Sequence, residues 1–412
     1  MTNSAADEAS SAGAVPPFVS RVRIRDYKSI AECNVRLGPL TVLVGPNGAG
    51  KSNFLDALAF LARALETTPA EAIDERGGLR EMLRRVPDKA DSFSILVETA
   101  IPWWPASPEF DATYEFEVAA SAHNDSGFEI TREECRIRGH DSEEWFLVRD
   151  RSVVISTSQG LSEVARIATD RLMLQEIHAS VLYLQLREGL RRLRFYNFDT
   201  DGMRLPRPAA SRPVLERSGR GLGDVLAALE STGDPWIKAR IDSYLSTILG
   251  IDCRIEPVSV GEYRTIALKT LVNGQEFDFS PLGMSDGTLR GAAVLAALFQ
   301  PEALDGRIPA LSIEEPESAL HPAAAGALFD ALTEAAEHVQ VIAASQSADL
   351  LDREDFDIST IRPVAVQDGL TIIGEVDSAS REIAKEKLMT LGELMRGNQL
   401  VPSLVEGNGS EP

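Results

Sequence analysis

Cysteine is scarce in this chain: Cys33, Cys135 and Cys253 are all that 412 residues hold, and no two form a C-x-x-C pair. That spacing argues against a zinc site or a disulfide framework and predicts a reducing, cytoplasmic setting. No uninterrupted apolar stretch reaches the ~18 residues a membrane helix needs, so no span is expected. Met1–Pro17 has neither a basic nor an apolar block, so it reads as a disordered leader and not a signal peptide. Basic charge is also short. With 41 Lys and Arg against 63 Asp and Glu, the net charge of −22 opposes binding of nucleic acid over the whole surface. The chain lacks an internal repeat, a long heptad region and any acidic cluster that would suggest a nuclease.

Against these absences stands one dense motif. Residues 40–56 read as an apolar strand, a glycine-rich loop and the start of an amphipathic helix, and Gly45-Pro46-Asn47-Gly48-Ala49-Gly50-Lys51-Ser52 fits G-x-x-x-x-G-K-[ST]. Gly48 and Gly50 let successive backbone N–H groups converge on a phosphate, and the helix N-terminus adds partial positive charge. Lys51 can reach the β- and γ-phosphates, and the Ser52 hydroxyl can ligate Mg²⁺. These eight residues, with Asn53 behind them, are the candidate site for a nucleoside triphosphate.

Strand patterns occur at 18–30, 41–44, 92–100, 114–120, 127–138, 144–156 and 253–279, with Asn273-Gly274 as a hairpin turn. Helical patterns cover 54–66, 161–195, 222–230, 236–249, 291–299 and 322–337, and a weak one 78–86. Strands alternate with helices at both ends, so the expected fold is α/β: a mainly parallel sheet flanked by helices, with an antiparallel β lobe and a helical insertion between. The expected division is a leader (1–17), two parts of one head (18–120 and 275–396), an inserted lobe (121–274) and a flexible tail (397–412).

The second half of the site lies late in the chain. Ala310-Leu311-Ser312-Ile313-Glu314-Glu315-Pro316-Glu317 is a short apolar strand ending in adjacent carboxylates. Neighbouring residues at a strand end point opposite ways, so one acid can hold the Mg²⁺ shell while the next polarises the attacking water. Upstream, Ser285 and Gly287 open a helix as an anion-binding N-terminus. Downstream, Ser345-Gln346-Ser347 ends a strand where a polar side chain can reach phosphate or water.

These blocks, "MSDGTLR", "LSIEEPESALHP" and "ASQSADLLD" after the loop, together with "VRIRDYKSI" and "LGELMRGNQL", resemble the ABC-type ATPase heads of the RecF/SMC/OLD group. The resemblance covers 18–66 and 275–397 and implies a P-loop ATPase with Mg²⁺ as cofactor. It makes Glu314 the metal-side acid and Glu315 the catalytic base. It assigns Ser285 and Gly287 to a signature that caps the γ-phosphate of a second protomer, and hence implies a homodimer formed on ATP. Gln346 stands where many members carry a switch histidine, which implies slow turnover. Glu314 replaces the usual aspartate, and Met284 and Asp286 replace the usual leucine and glycine. His321 falls in the segment that meets the opposite protomer. A coupling glutamine is not identifiable.

Residues 187–220 carry nine arginines against four acids, a local balance of +5. Read one way this is a salt-bridged surface; read the other, Arg187, Arg191, Arg192 and Arg194 contact DNA. Two functions follow as expectations: an ATPase in DNA repair or in defence against foreign DNA, or an ATP-driven switch that controls a protein effector. Neither involves a membrane.

Overall fold

The computed structural model describes residues 16–403 except 102–109, 122–126, 150, 158–159, 165–166, 211–212, 232–234 and 354–356. The expected leader up to residue 15, the Pro/Trp-rich turn at 102–105, His123 and the last nine residues fall outside the described residues.

Strands β1 (Val19–Tyr27), β2 (Ile30–Arg36) and β3 (Leu40–Val44) lead into helix α1 (Lys51–Glu66), followed by short helices α2 (Pro69–Asp74) and α3 (Leu79–Met82). Six strands come next: β4 (Ser92–Ile101), β5 (Phe110–Ala120), β6 (Phe128–Arg138), β7 (Glu143–Arg149), β8 (Ser152–Thr157) and β9 (Gly160–Val164). The chain continues through α4 (Met173–Glu176), α5 (Val181–Arg191), β10 (Arg194–Tyr196), α6 (Thr200–Met203) and β11 (Arg207–Pro208). Helices α7 (Leu222–Ser231) and α8 (Pro235–Leu249) precede strands β12 (Cys253–Val260), β13 (Tyr263–Val272) and β14 (Gln275–Phe279). The last third holds α9 (Asp286–Phe299), α10 (Pro301–Leu304), β15 (Ala310–Glu314), α11 (Ala325–Ala335) and β16 (Gln340–Ser345). It closes with β17 (Ile361–Gln367), β18 (Leu370–Ile373), α12 (Ser378–Lys385) and α13 (Leu391–Arg396).

The central sheet has the order β10-β15-β16-β3-β17-β18, parallel except for the last pair. It is buried on both faces, and period-2 alternation sorts its side chains. Val42, Val44, Leu311, Ile313, Val341 and Ala343 pack in one core with α7, α8, α9 and α11. Leu43, Ala310, Ile342 and Ala344 face the other core, which α1 fills with Phe54, Leu58, Phe60 and Leu61. Over α1 lies an antiparallel sheet of order β2-β1-β4-β5-β6-β7-β8-β9. Helix α1 is therefore held between two sheets, each of its large apolar side chains contributing about 1.5–3 kcal/mol on burial.

One expectation changes. The helical pattern over 161–195 resolves into strand β9, helices α4 and α5, and strand β10. Pairing decides both ends: β9 extends the antiparallel sheet, and Arg194–Tyr196 pairs in parallel with Leu311–Ile313. Strands β5 and β6, on either side of the expected boundary at 120/121, are neighbours in one sheet. The described start of the tail is tied down, with Ser403 N–H donating 2.7 Å to Glu375 O and Val376 bridged to Pro402.

Candidate functional site

Parallel pairing brings the C-terminal ends of three strands together, with Val44 beside Ser345 and Glu314 beside Ala344. The phosphate loop, the acidic turn and the 345–347 turn therefore leave the sheet at one edge, with β16 between the other two strands. The loop leaves β3 pressed against β17, where a Cβ on Gly45 would lie 2.1 Å from Val364 O. Gly48 and Gly50 have φ of 76° and 106°. A Cβ at Gly50 would also lie 2.1 Å from Thr371 Oγ1, so glycine is required twice over. Gly50 caps α1 with no side-chain hydrogen bond, which leaves first-turn amides facing a potential anion.

A relay of hydroxyls braces the loop. Asn53 Nδ2 donates 2.6 Å to Ser29 Oγ, Ser29 Oγ meets Thr371 Oγ1 at 2.7 Å, and Thr371 Oγ1 donates 2.8 Å to Ala49 O. Asn53 acts here on the loop through Ser29. Lys51 is buried, and its Nζ donates 2.6 Å to Gly45 O and 3.0 Å to Pro46 O. Burial lowers the Lys51 pKa, and the nearby Glu315, Glu317 and Glu314 raise it. Pro46, Asn47, Gly48 and Ser52 are exposed.

The acidic turn is bent by left-handed residues, Glu315 (φ 46°) and Ala319 (φ 63°). Glu315 N–H donates 2.8 Å to Ala344 O, which pins the turn to β16. Glu314 pairs at 3.6 Å with Arg217. Glu317 had no expected role, yet its Oε1 accepts from Ser345 Oγ at 2.6 Å and from the N–H groups of Gln346 and Ser347 at 3.3 Å each. Its Oε2 is buried without a hydrogen-bond partner. Gln346 thus meets the acidic turn through its backbone, and the residue itself is exposed.

Ser285 caps α9, accepting 3.1 Å from Thr288 N–H. A Cβ on Gly287 would lie 2.4 Å from Ala319 O, so the signature helix packs directly on the acidic turn. Asp286 pairs with Arg204 at 2.6 Å, an ion pair that holds its carboxyl below the usual carboxylate range. His321 Nδ1 accepts 3.2 Å from Ala323 N–H and caps the turn before α11.

The arginines divide. Arg187 Nη1 donates 2.7 Å to Gln175 O, and Arg191 and Arg192 both pair with Glu188, at 3.0 and 3.6 Å. Arg191, Arg194 and Arg217 line a groove beside α1 with Arg63, Arg76, Asp56, Glu66 and Glu75.

The donor set fits Mg²⁺ with a nucleotide. The Ser52 hydroxyl and Glu314 carboxylate would offer hard oxygen donors, too few for an all-protein cage, and Mg²⁺ in such a site would take its remaining ligands from phosphate and water. No group of three or more His, Cys, Asp or Glu among the described residues could hold a metal alone.

The family described as "AAA domain, putative AbiEii toxin, Type IV TA system" matches residues 40–352. The chain belongs to that family. The match runs from β3 past the 345–347 turn, so this AAA domain takes in the phosphate loop, the elements between it and α9, the start of α9 and the acidic turn. Shorter likenesses join it to the DNA replication and repair protein RecF. That of Magnetococcus marinus is 42% identical over 62 residues, 14% of this chain and 16% of the relative. That of Paenarthrobacter aurescens is 41% identical over 46 residues, 11% of this chain and 12% of the relative. The chain thus matches under a fifth of those relatives' length. Two solved SMC heads share the fold at TM-score 0.53. One, bound to the C-winged helix domain of ScpA, is 14% identical, covering 90% of this chain and 100% of that one. The other, from Pyrococcus furiosus with the C-terminal domain of ScpA, is 11% identical, covering 90% and 99%. The AAA domain thus has the fold of an SMC head and, over a short stretch, a sequence likeness to RecF.

Four contributors had no expected role: Glu317, Ser29, Thr371 and Arg217. Glu317 and Ser29 stand inside quoted blocks and Arg217 inside the arginine-rich segment, none with this role attached; Thr371 carries no local signal, since it reaches Ala49 across 322 positions.

Proposed function

We propose that the chain binds ATP with Mg²⁺, hydrolyses it slowly and forms a head-to-tail homodimer while ATP is bound. The observation that supports this is the meeting of Lys51 and Ser52, Glu314 and Glu315, and the 345–347 turn at one edge of the central sheet. In this reading the loop amides and Lys51 hold the phosphates, and Ser52 and Glu314 hold the cation, which supplies charge neutralisation when bound. Glu315 takes the proton of the attacking water, and Gln346 orients that water by hydrogen bonds, without an imidazole to assist. Ser285 and Gly287 complete the site of the second protomer. Replacing Lys51 by Ala should abolish nucleotide binding, and unchanged binding would remove the site assignment. Glu315→Gln should keep ATP binding and trap a dimer; a monomer on size-exclusion with ATP would count against the dimer.

For the work that this ATPase times, we propose DNA repair or defence against foreign DNA, in line with the RecF likeness and the AbiEii description. The groove along α1 is the candidate contact. A second reading, an ATP-driven scaffold for a protein effector, is favoured by the internal partners of Arg187, Arg191 and Arg192. An SMC head of the same fold was solved with a domain of ScpA. Stimulation of ATPase by duplex DNA, lost in Arg191/Arg192/Arg194→Glu, supports the first. Absence of any DNA effect at low salt supports the second.

A further inference from the structure

The arginine-rich segment after β10 touches both halves of the candidate site. At one end, Asn197 N–H donates 2.8 Å to Arg217 O and Asp199 N–H donates 2.9 Å to Ser218 O, docking the 216–220 turn onto the chain leaving β10. That turn carries Arg217 to within 3.6 Å of Glu314. At the other end, Arg290 of α9 donates 2.9 Å to Phe198 O. Arg204 donates to Pro281 O and Met284 O, at 2.5 and 2.9 Å, and pairs with Asp286. The two ends are packed as one body: Gly219 has φ 88°, and a Cβ there would lie 2.4 Å from Met203 Sδ.

We propose that residues 197–204 together with the 216–220 turn couple the nucleotide to the signature helix, with Arg217 as the residue that senses it. The proposal rests on the reading that a Mg²⁺-bound nucleotide occupies the loop. A cation at Glu314 and the Arg217 guanidinium compete for one carboxylate. The pair is long, and the Arg217 side chain is 55% exposed against 16% for Glu314, so it is weak and exchanges readily. A guanidinium released beside phosphates has the fork geometry that phosphate oxygens accept. Movement of Arg217 shifts the 216–220 turn, and with it Phe198 and Met203. Their neighbours Arg290 and Arg204 hold the start of α9, where the signature lies. Arg217 is on this account a positioning residue between Glu314 and Ser285.

The test is hydrogen exchange of residues 284–291 in the full chain with Mg²⁺ and either ATP or ADP, beside fluorescence titration of both nucleotides. Wild type should bind both and protect 284–291 more strongly with ATP. Arg217→Gln should still bind but lose about tenfold of its preference for ATP over ADP, together with the protection difference. Arg217→Lys, which keeps the charge, should restore part of it. Arg204→Gln should keep the ATP preference and lose the protection difference. An unchanged response in Arg217→Gln, with nucleotide bound, overturns the coupler alone. Absence of nucleotide binding by wild type overturns the coupler together with the ATP reading beneath it.

Discussion

Ser345 Oγ donates a 2.6 Å hydrogen bond to Glu317 Oε1 and so ties the end of β16 to the acidic turn after β15. The same carboxylate oxygen takes the N–H groups of Gln346 and Ser347. Replacing Glu317 by Ala leaves Ser345 Oγ and Gln346 N–H without their acceptor, while Ser347 N–H keeps Ser345 Oγ at 3.0 Å. We expect a loss of about 1–3 kcal/mol in urea denaturation and slower ATP turnover with nucleotide binding retained. Unchanged stability and turnover would show that the clamp is idle.

The Thr371 hydroxyl links Ala49 O to Ser29 Oγ, behind the phosphate loop. Thr371→Val keeps the shape and removes both bonds, and nucleotide affinity should fall about fivefold or more as the loop loosens. A titration with a fluorescent ATP analogue decides it, with Thr371→Ser expected to stay near wild type.

Glu133 is wholly buried beneath the antiparallel sheet, where Tyr114 OH and the N–H groups of Met173 and Leu174 donate to it. Burial pushes its pKa up to about 7 against the pull of those donors. A carboxyl whose folded pKa lies above its unfolded value binds more protons when folded, so its contribution to stability falls as pH rises from about 4.5 to about 7. The Tm of wild type should decline over that window more steeply than that of Glu133→Gln. Parallel profiles would show that Glu133 does not titrate there.

Asp224 is 2% exposed and faces Arg264 at 3.3 Å and Arg207 at 3.7 Å. Both arginines are partly exposed and can turn to water, so Asp224→Ala should cost about 1–3 kcal/mol, less than a fully buried triad would. Thermal unfolding measures it, and a Tm equal to wild type would mean that the pairs contribute nothing.

The phosphate-loop backbone was legible because its requirements are local. Gly48, Gly50, Lys51 and Ser52 are neighbours, and the left-handed turn that glycine permits is a property of the backbone there. The hairpin at Asn273-Gly274 was legible for the same reason, with φ of 52° and 79°. Strand β10 was not, because three residues fold as a strand only where β15 supplies the pairing. Strand β17 carries Pro363, a poor signal for a strand, and is nonetheless paired to β3 at Val44.

By itself, then, the sequence determined that this chain holds a phosphate-loop pattern, an acidic strand end and a helix opened by Ser285, since each is a short run whose chemistry depends on neighbours in the chain. Only the tertiary structure decided that Thr371 braces Ala49, that Glu317 clamps the 345–347 turn and that Arg217 faces Glu314. Those contacts follow from strand order and register, which set spatial neighbours among residues from 28 to 322 positions apart and leave no local pattern to read.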